Sequence, residues 1–157
     1  MLAETSRAAG AALVVGAAAF AAFWGLSTAD VSLLRAGQLA LHGVSIVALS
    51  IGLLLMIRAG DIRDRSLLLV GVVLSVAGLL TVLPVLFLGL VLVALWSMRS
   101  GQPLVGAALL VGAVCILSVF VAGGRPGYEE APNPGALETA VTLAGIAGIA
   151  GGLMGLG

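Results

Sequence analysis

Between Leu67 and Met98 the chain runs for 32 residues without a single charge. As one helix this run would reach roughly 48 Å, at about 1.5 Å per residue. A bilayer core about 30 Å thick accepts that length only at a tilt of about 50°, and spanning helices usually tilt by about 0–40°. Two short helices in a hairpin fit the run better. Gly78 can end the first helix as a left-handed cap. Thr81 can N-cap the second. Pro84 then falls in the first turn, where its missing N–H costs nothing. The expected helices are Ile62–Ala77 and Val82–Met98. Their apolar turn must pack against protein, because lipid satisfies no backbone group. A single helix kinked at Pro84 would give five spans in place of six.

The rest of the chain points to the same solvent. Hydrophobic residues make up 61%, charged residues 9%, and the mean hydropathy is +1.26. A soluble domain is about 45–50% apolar and about 25% charged. A globule of 157 residues exposes too much surface to hide so many apolar side chains. Disorder requires the opposite composition. Further stretches near the 20 or so residues of a membrane helix are Ala8–Leu26, Ala36–Ile57, Pro103–Ala122 and Ala136–Leu156. The expected fold is therefore all-α: a polytopic integral membrane protein, a six-helix bundle forming one transmembrane domain over residues 1–157. Gly123–Gly135 is a loop, since its three prolines and four glycines forbid helix and strand. No internal repeat stands out. With the N-terminus inside, Arg7, Arg58, Arg63, Arg65 and Arg99 are cytoplasmic, and Arg35 and Arg125 are outside. Both termini are then cytoplasmic in the cell membrane, although five spans would give the same balance. Arg7, the apolar stretch and Ser27-Thr28-Ala29 also fit a signal peptide, but the stretch exceeds the usual core of about 7–15 residues.

Chemistry-bearing residues are scarce. Seven basic and seven acidic residues balance, so nothing here attracts nucleic acid. One histidine excludes a metal site built from several, and the single Cys115 excludes an intrachain disulfide. No phosphate loop, dinucleotide fingerprint or nucleophile elbow is present. No cofactor and no catalytic set are expected. Arg35, Gln38, His42 and Ser45 follow spacings of three, four and three, which sets them on one helical face. Such a stripe inside a membrane can relay protons, line a path for a small solute, or hydrogen-bond another helix. Glu129, Glu130 and Glu138 form a candidate acidic mouth, though Glu138 also suits a helix N-terminus. Gly145, Gly148, Gly151, Gly152 and Gly155 make a candidate packing face, because small residues let helices approach closely.

The run from Gly71 through Gly78 and Thr81 to Pro84 is similar to the hairpins of six-helix bacterial acid-resistance membrane proteins. Those hairpins carry a glycine and then a proline between apolar stretches. A likeness of that extent carries no function to this chain. The expected role is non-catalytic: an accessory or scaffold subunit of a membrane assembly, with the lipid bilayer and either further copies or other subunits as partners. The alternative is an oligomeric transporter or channel lined by the polar face of the second span.

Overall fold

Each apolar stretch folds as a helix. The computed structural model describes residues 2–28, 35–59, 65–81, 83–122 and 136–156. Its elements are α1 (Leu2–Thr28), α2 (Arg35–Ala59), α3 (Arg65–Leu80), α4 (Leu83–Arg99), α5 (Pro103–Ala122) and α6 (Ala136–Leu156). The architecture is all-α among the described residues, and α1, α2, α5 and α6 are long and apolar enough to cross a membrane. α3 and α4 are shorter, at 16 and 17 residues. The charge-free run is thus a hairpin of two helices.

The turn of that hairpin differs from expectation. Gly78 does not cap α3 in a left-handed conformation; it lies inside the helix, which runs on to Leu80. Its missing side chain serves packing, since a methyl there would collide with the backbone of Leu86 on α4. Thr81 closes α3. Its Oγ1 donates to the Ala77 carbonyl at 2.6 Å, and its backbone N–H donates to the Gly78 carbonyl at 3.4 Å. Pro84 sits in the first turn of α4, as its ring geometry requires. At the α4–α5 connection, Gly101 adopts φ +91°, a conformation that only glycine enters freely.

Each helix touches the next, and α1 touches α6, so the six close into a ring. The most extensive contacts lie within α1–α2, α3–α4 and α5–α6. The ring is therefore three antiparallel hairpins side by side. One pattern recurs in all three. Leu13, Leu49, Leu68, Val93, Leu109 and Ile149, one per helix, are between 0% and 2% exposed. In five helices a glycine follows three positions later: Gly16, Gly52, Gly71, Gly112 and Gly152. In α4 the corresponding residue is Trp96.

Each of these glycines faces the backbone nitrogen of the partner helix's buried residue. A methyl built on Gly16 would lie 2.7 Å from the Leu49 nitrogen, and one on Gly52 would lie 3.0 Å from that of Leu13. The same holds for Gly112 at 2.6 Å from the Ile149 nitrogen and Gly152 at 3.0 Å from that of Leu109. On α3, Gly71 faces the Val93 nitrogen at 3.0 Å. With Trp96 in place of the second glycine, α3 and α4 interlock again nearer the turn, where Gly78 meets Leu86 and Gly89 meets Ser75. The physical reason is the solvent. Lipid tails are as apolar as leucine, so helix association draws on close van der Waals packing. A glycine opposite a large aliphatic residue supplies that closeness on both sides of a hairpin. The chain therefore contains a structural repeat that its sequence does not announce.

The outer surface completes the picture. Val15, Val47, Val73, Leu88, Val111 and Leu143, one on each helix, are large, apolar and exposed. An apolar belt that encircles the molecule far exceeds the exposed patches of soluble monomers. Hydrocarbon is the medium in which it carries no penalty.

Candidate functional site

The polar stripe of α2 starts from a simple periodic fact. Gln38, His42 and Ser45 continue, at alternating spacings of four and three, into Leu49, Gly52 and Met56. The last three are buried, and Leu49 and Gly52 pack against Gly16 and Leu13 of α1. The stripe is therefore the upper part of the α1–α2 packing seam. The register set by Gly16 opposite Leu49 brings His42 level with Phe23 of α1.

The rings confirm that register. The imidazole of His42 lies 4.7 Å from the Phe23 ring at an interplanar angle of 31°, and 6.5 Å from the Trp24 ring at 81°. Phe23 and Trp24 meet edge to face at 5.2 Å, and Phe20 lies 6.4 Å from Trp24. His42 thus closes an aromatic cluster between α1 and α2. Its Nδ1 is enclosed and has no hydrogen-bond partner among the described residues. Ser45 is 2% exposed, and Gln38 is half-buried one turn above His42. Arg35 begins α2, and its side chain lies outside the described set.

Two other serines bond the backbone. Ser75 Oγ donates to the Gly71 carbonyl at 2.7 Å, and Ser97 Oγ donates to the Gln102 carbonyl at 3.3 Å. These bonds satisfy hydroxyls that hydrocarbon would leave unpaired. Ser50 Oγ and Trp96 Nε1 are enclosed without a partner among the described residues. Among the described residues, no group of three or more His, Cys, Asp or Glu could hold a metal ion.

The remaining candidates separate. Gly145, Gly148 and Gly152 face α5, meeting Ile116, Ala108 and Leu109, and Gly155 meets Val105. Gly151 points away, with nothing within 4 Å of a methyl placed on it. Glu129 and Glu130 lie outside the described residues, and of Glu138 only the helical backbone is described. The acidic mouth thus lies outside the described residues. The sequence reading missed the Phe23–Trp24–His42 cluster and the continuity of the stripe with Leu49 and Gly52. The signal was present: extending the three-and-four spacing past Ser45 reaches both residues.

Searches against protein-family models, curated proteins and solved structures found no match to this chain.

Proposed function

We propose that the protein is a multi-pass component of the cell membrane with both termini in the cytoplasm, acting as a non-catalytic accessory or scaffold subunit. The observation that carries this reading is the outward face of α6. Ala140, Ala144, Ala147 and Gly151 are exposed there, while the other glycines of the helix are consumed against α5. A stripe of small residues on the lipid side lets a further helix approach as closely as α5 does on the inside. Buried serines occupied with backbone carbonyls agree with a structural role. The test is purification of the tagged protein from its own membrane in mild detergent. The reading expects an assembly of fixed stoichiometry. A lone monomer that brings nothing with it refutes the reading.

A transporter or channel is the second reading, and one observation favours it. Among the described residues His42 Nδ1 is enclosed without a partner, in a ring type that exchanges protons near neutral pH. Proteoliposomes containing wild type or His42→Ala decide it. A flux present in wild type and lost in the variant supports a path through α2, and two variants equal to empty vesicles exclude it.

A further inference from the structure

The geometry points to a bundle that opens between α2 and α3, with the α1–α2 hairpin moving as one body against α3–α6. Glycine contacts divide the ring into those two bodies. α1 and α2 interlock through Gly16 and Gly52. α3 and α4 interlock through Gly71, Gly78 and Gly89, and α5 and α6 through Gly112 and Gly152. α4 and α5 interlock as well, since a methyl on Gly106 would lie 2.6 Å from the Ala94 carbonyl oxygen and 3.0 Å from the Met98 nitrogen. Of the glycines whose surroundings are described, none meets its nearest neighbours across α2–α3 or across α6–α1. Those are also the two least extensive contacts of the ring, and α2–α3 is the lesser. A ring joined without glycine notches at two places, and more thinly at one of them, parts there before any notched seam yields.

The flank of α2 turned to α3 follows from its seam with α1. One residue on from Ser45, Leu49, Gly52 and Met56 stand Ile46, Ser50, Leu53 and Ile57, about 100° round the helix. Leu53 is 1% exposed and the other three are half-buried, whereas Val44 and Ile51, one residue back from the seam, are exposed. α2 packs chiefly against α1 and α3, so this covered flank is its α3 side. Higher on the same flank the cover ends. Leu39 is 65% exposed, and nothing lies within 4 Å of a methyl on Gly43. The cause is length, since α3 has 16 residues and α2 has 25. Within the covered part, Ser50 Oγ is enclosed and no described residue partners it. Ser27, Ser75 and Ser118 each donate to a carbonyl of their own helix. An enclosed, unpaired hydroxyl disfavours the closed seam. Opening gives it room to turn to the Ile46 carbonyl four residues back, as Ser75 does to Gly71. The apolar residues lose little, because lipid tails replace the side chains that leave them. The seam is thus poised between a closed and an open arrangement, and the hairpin swings about α6.

The experiment is double electron–electron resonance on the full chain in lipid nanodiscs, with nitroxides on pairs of exposed cysteines in a Cys115→Ala background. Val15→Cys with Leu39→Cys lies within the α1–α2 hairpin, and Val73→Cys with Val111→Cys lies within the α3–α6 body. Leu39→Cys with Val73→Cys spans the seam between them. The two pairs inside a body should each give a single narrow distance distribution. The pair across the seam should show, beside its main distance, a second population several ångströms longer. Ser50→Ala removes the unpaired hydroxyl and should shrink that second population by about fivefold or more. A distribution across the seam as narrow as the other two overturns the inference. So does a second population of equal size within either body, since the ring would then not divide at α2–α3. A long population that Ser50→Ala leaves unchanged or enlarges overturns it as well.

Discussion

A single methyl group placed at Gly112 or at Gly151 separates packing from helix propensity. Replacing glycine by alanine stabilises a helix by about 1 kcal/mol wherever it occurs. That gain is common to both positions and cancels in their difference. At Gly112 the new methyl would stand 2.6 Å from the Ile149 nitrogen and 2.7 Å from the Gly145 carbonyl oxygen. Both are backbone atoms, so no side-chain rotation relieves the clash and α5 must move from α6. Overpacking of this kind costs about 1–3 kcal/mol. At Gly151 nothing lies within 4 Å. Gly112→Ala should therefore be less stable than Gly151→Ala by about 1–3 kcal/mol. The assay is reversible unfolding in mixed micelles of rising SDS fraction, followed by the fluorescence of Trp24 and Trp96. Equal stabilities, or a more stable Gly112→Ala, would refute the idea that glycine at these seams is required for close approach.

Further substitutions probe other parts of the bundle. Gly78→Ala, with its methyl against the Leu86 backbone, should destabilise the α3–α4 hairpin by about 1–3 kcal/mol in the same unfolding assay; an unchanged midpoint would show that the turn is looser than described. Ser75→Ala removes a bond to its own helix and should change stability by less than about 1 kcal/mol, whereas Ser75→Leu, pressed on Gly89, should cost more than about 2 kcal/mol. His42→Phe keeps the ring contacts with Phe23 and removes a nitrogen that no described residue partners, so its melting temperature should equal or exceed that of wild type, while His42→Ala should fall. A His42→Phe as unstable as His42→Ala would mean that the nitrogen is engaged.

The membrane solvent and the six helices were legible because they depend on length and composition alone. A charge-free run too long for one span admits few solutions, and Arg65 and Arg99 mark its ends. The glycine repeat was not legible. Leu13 and Gly16 recur as Leu68 and Gly71 and as Leu109 and Gly112 at unequal intervals, in segments where leucine and glycine are abundant. Only the partner backbone distinguishes a glycine that admits a neighbour from one, like Gly151, that faces outward. Gly78 was misjudged for the same reason, because a cap and a packing notch demand the same residue. Spacing alone sets the polar stripe on one face of a helix, but the identity of that face depends on α1, which local spacing does not contain.

The arrangement of the ends bears most directly on the whole account. In a Cys115→Ala background, single cysteines at Ser27, Arg58, Thr81 and Ser100 report which side each connection occupies. A membrane-impermeant maleimide applied to intact cells should label Ser27→Cys and Thr81→Cys. Arg58→Cys and Ser100→Cys should react only after the membrane is opened. Labelling of Thr81→Cys and Ser100→Cys from the same side, or of all four in intact cells, would contradict a six-helix bundle whose arginine end faces the cytoplasm.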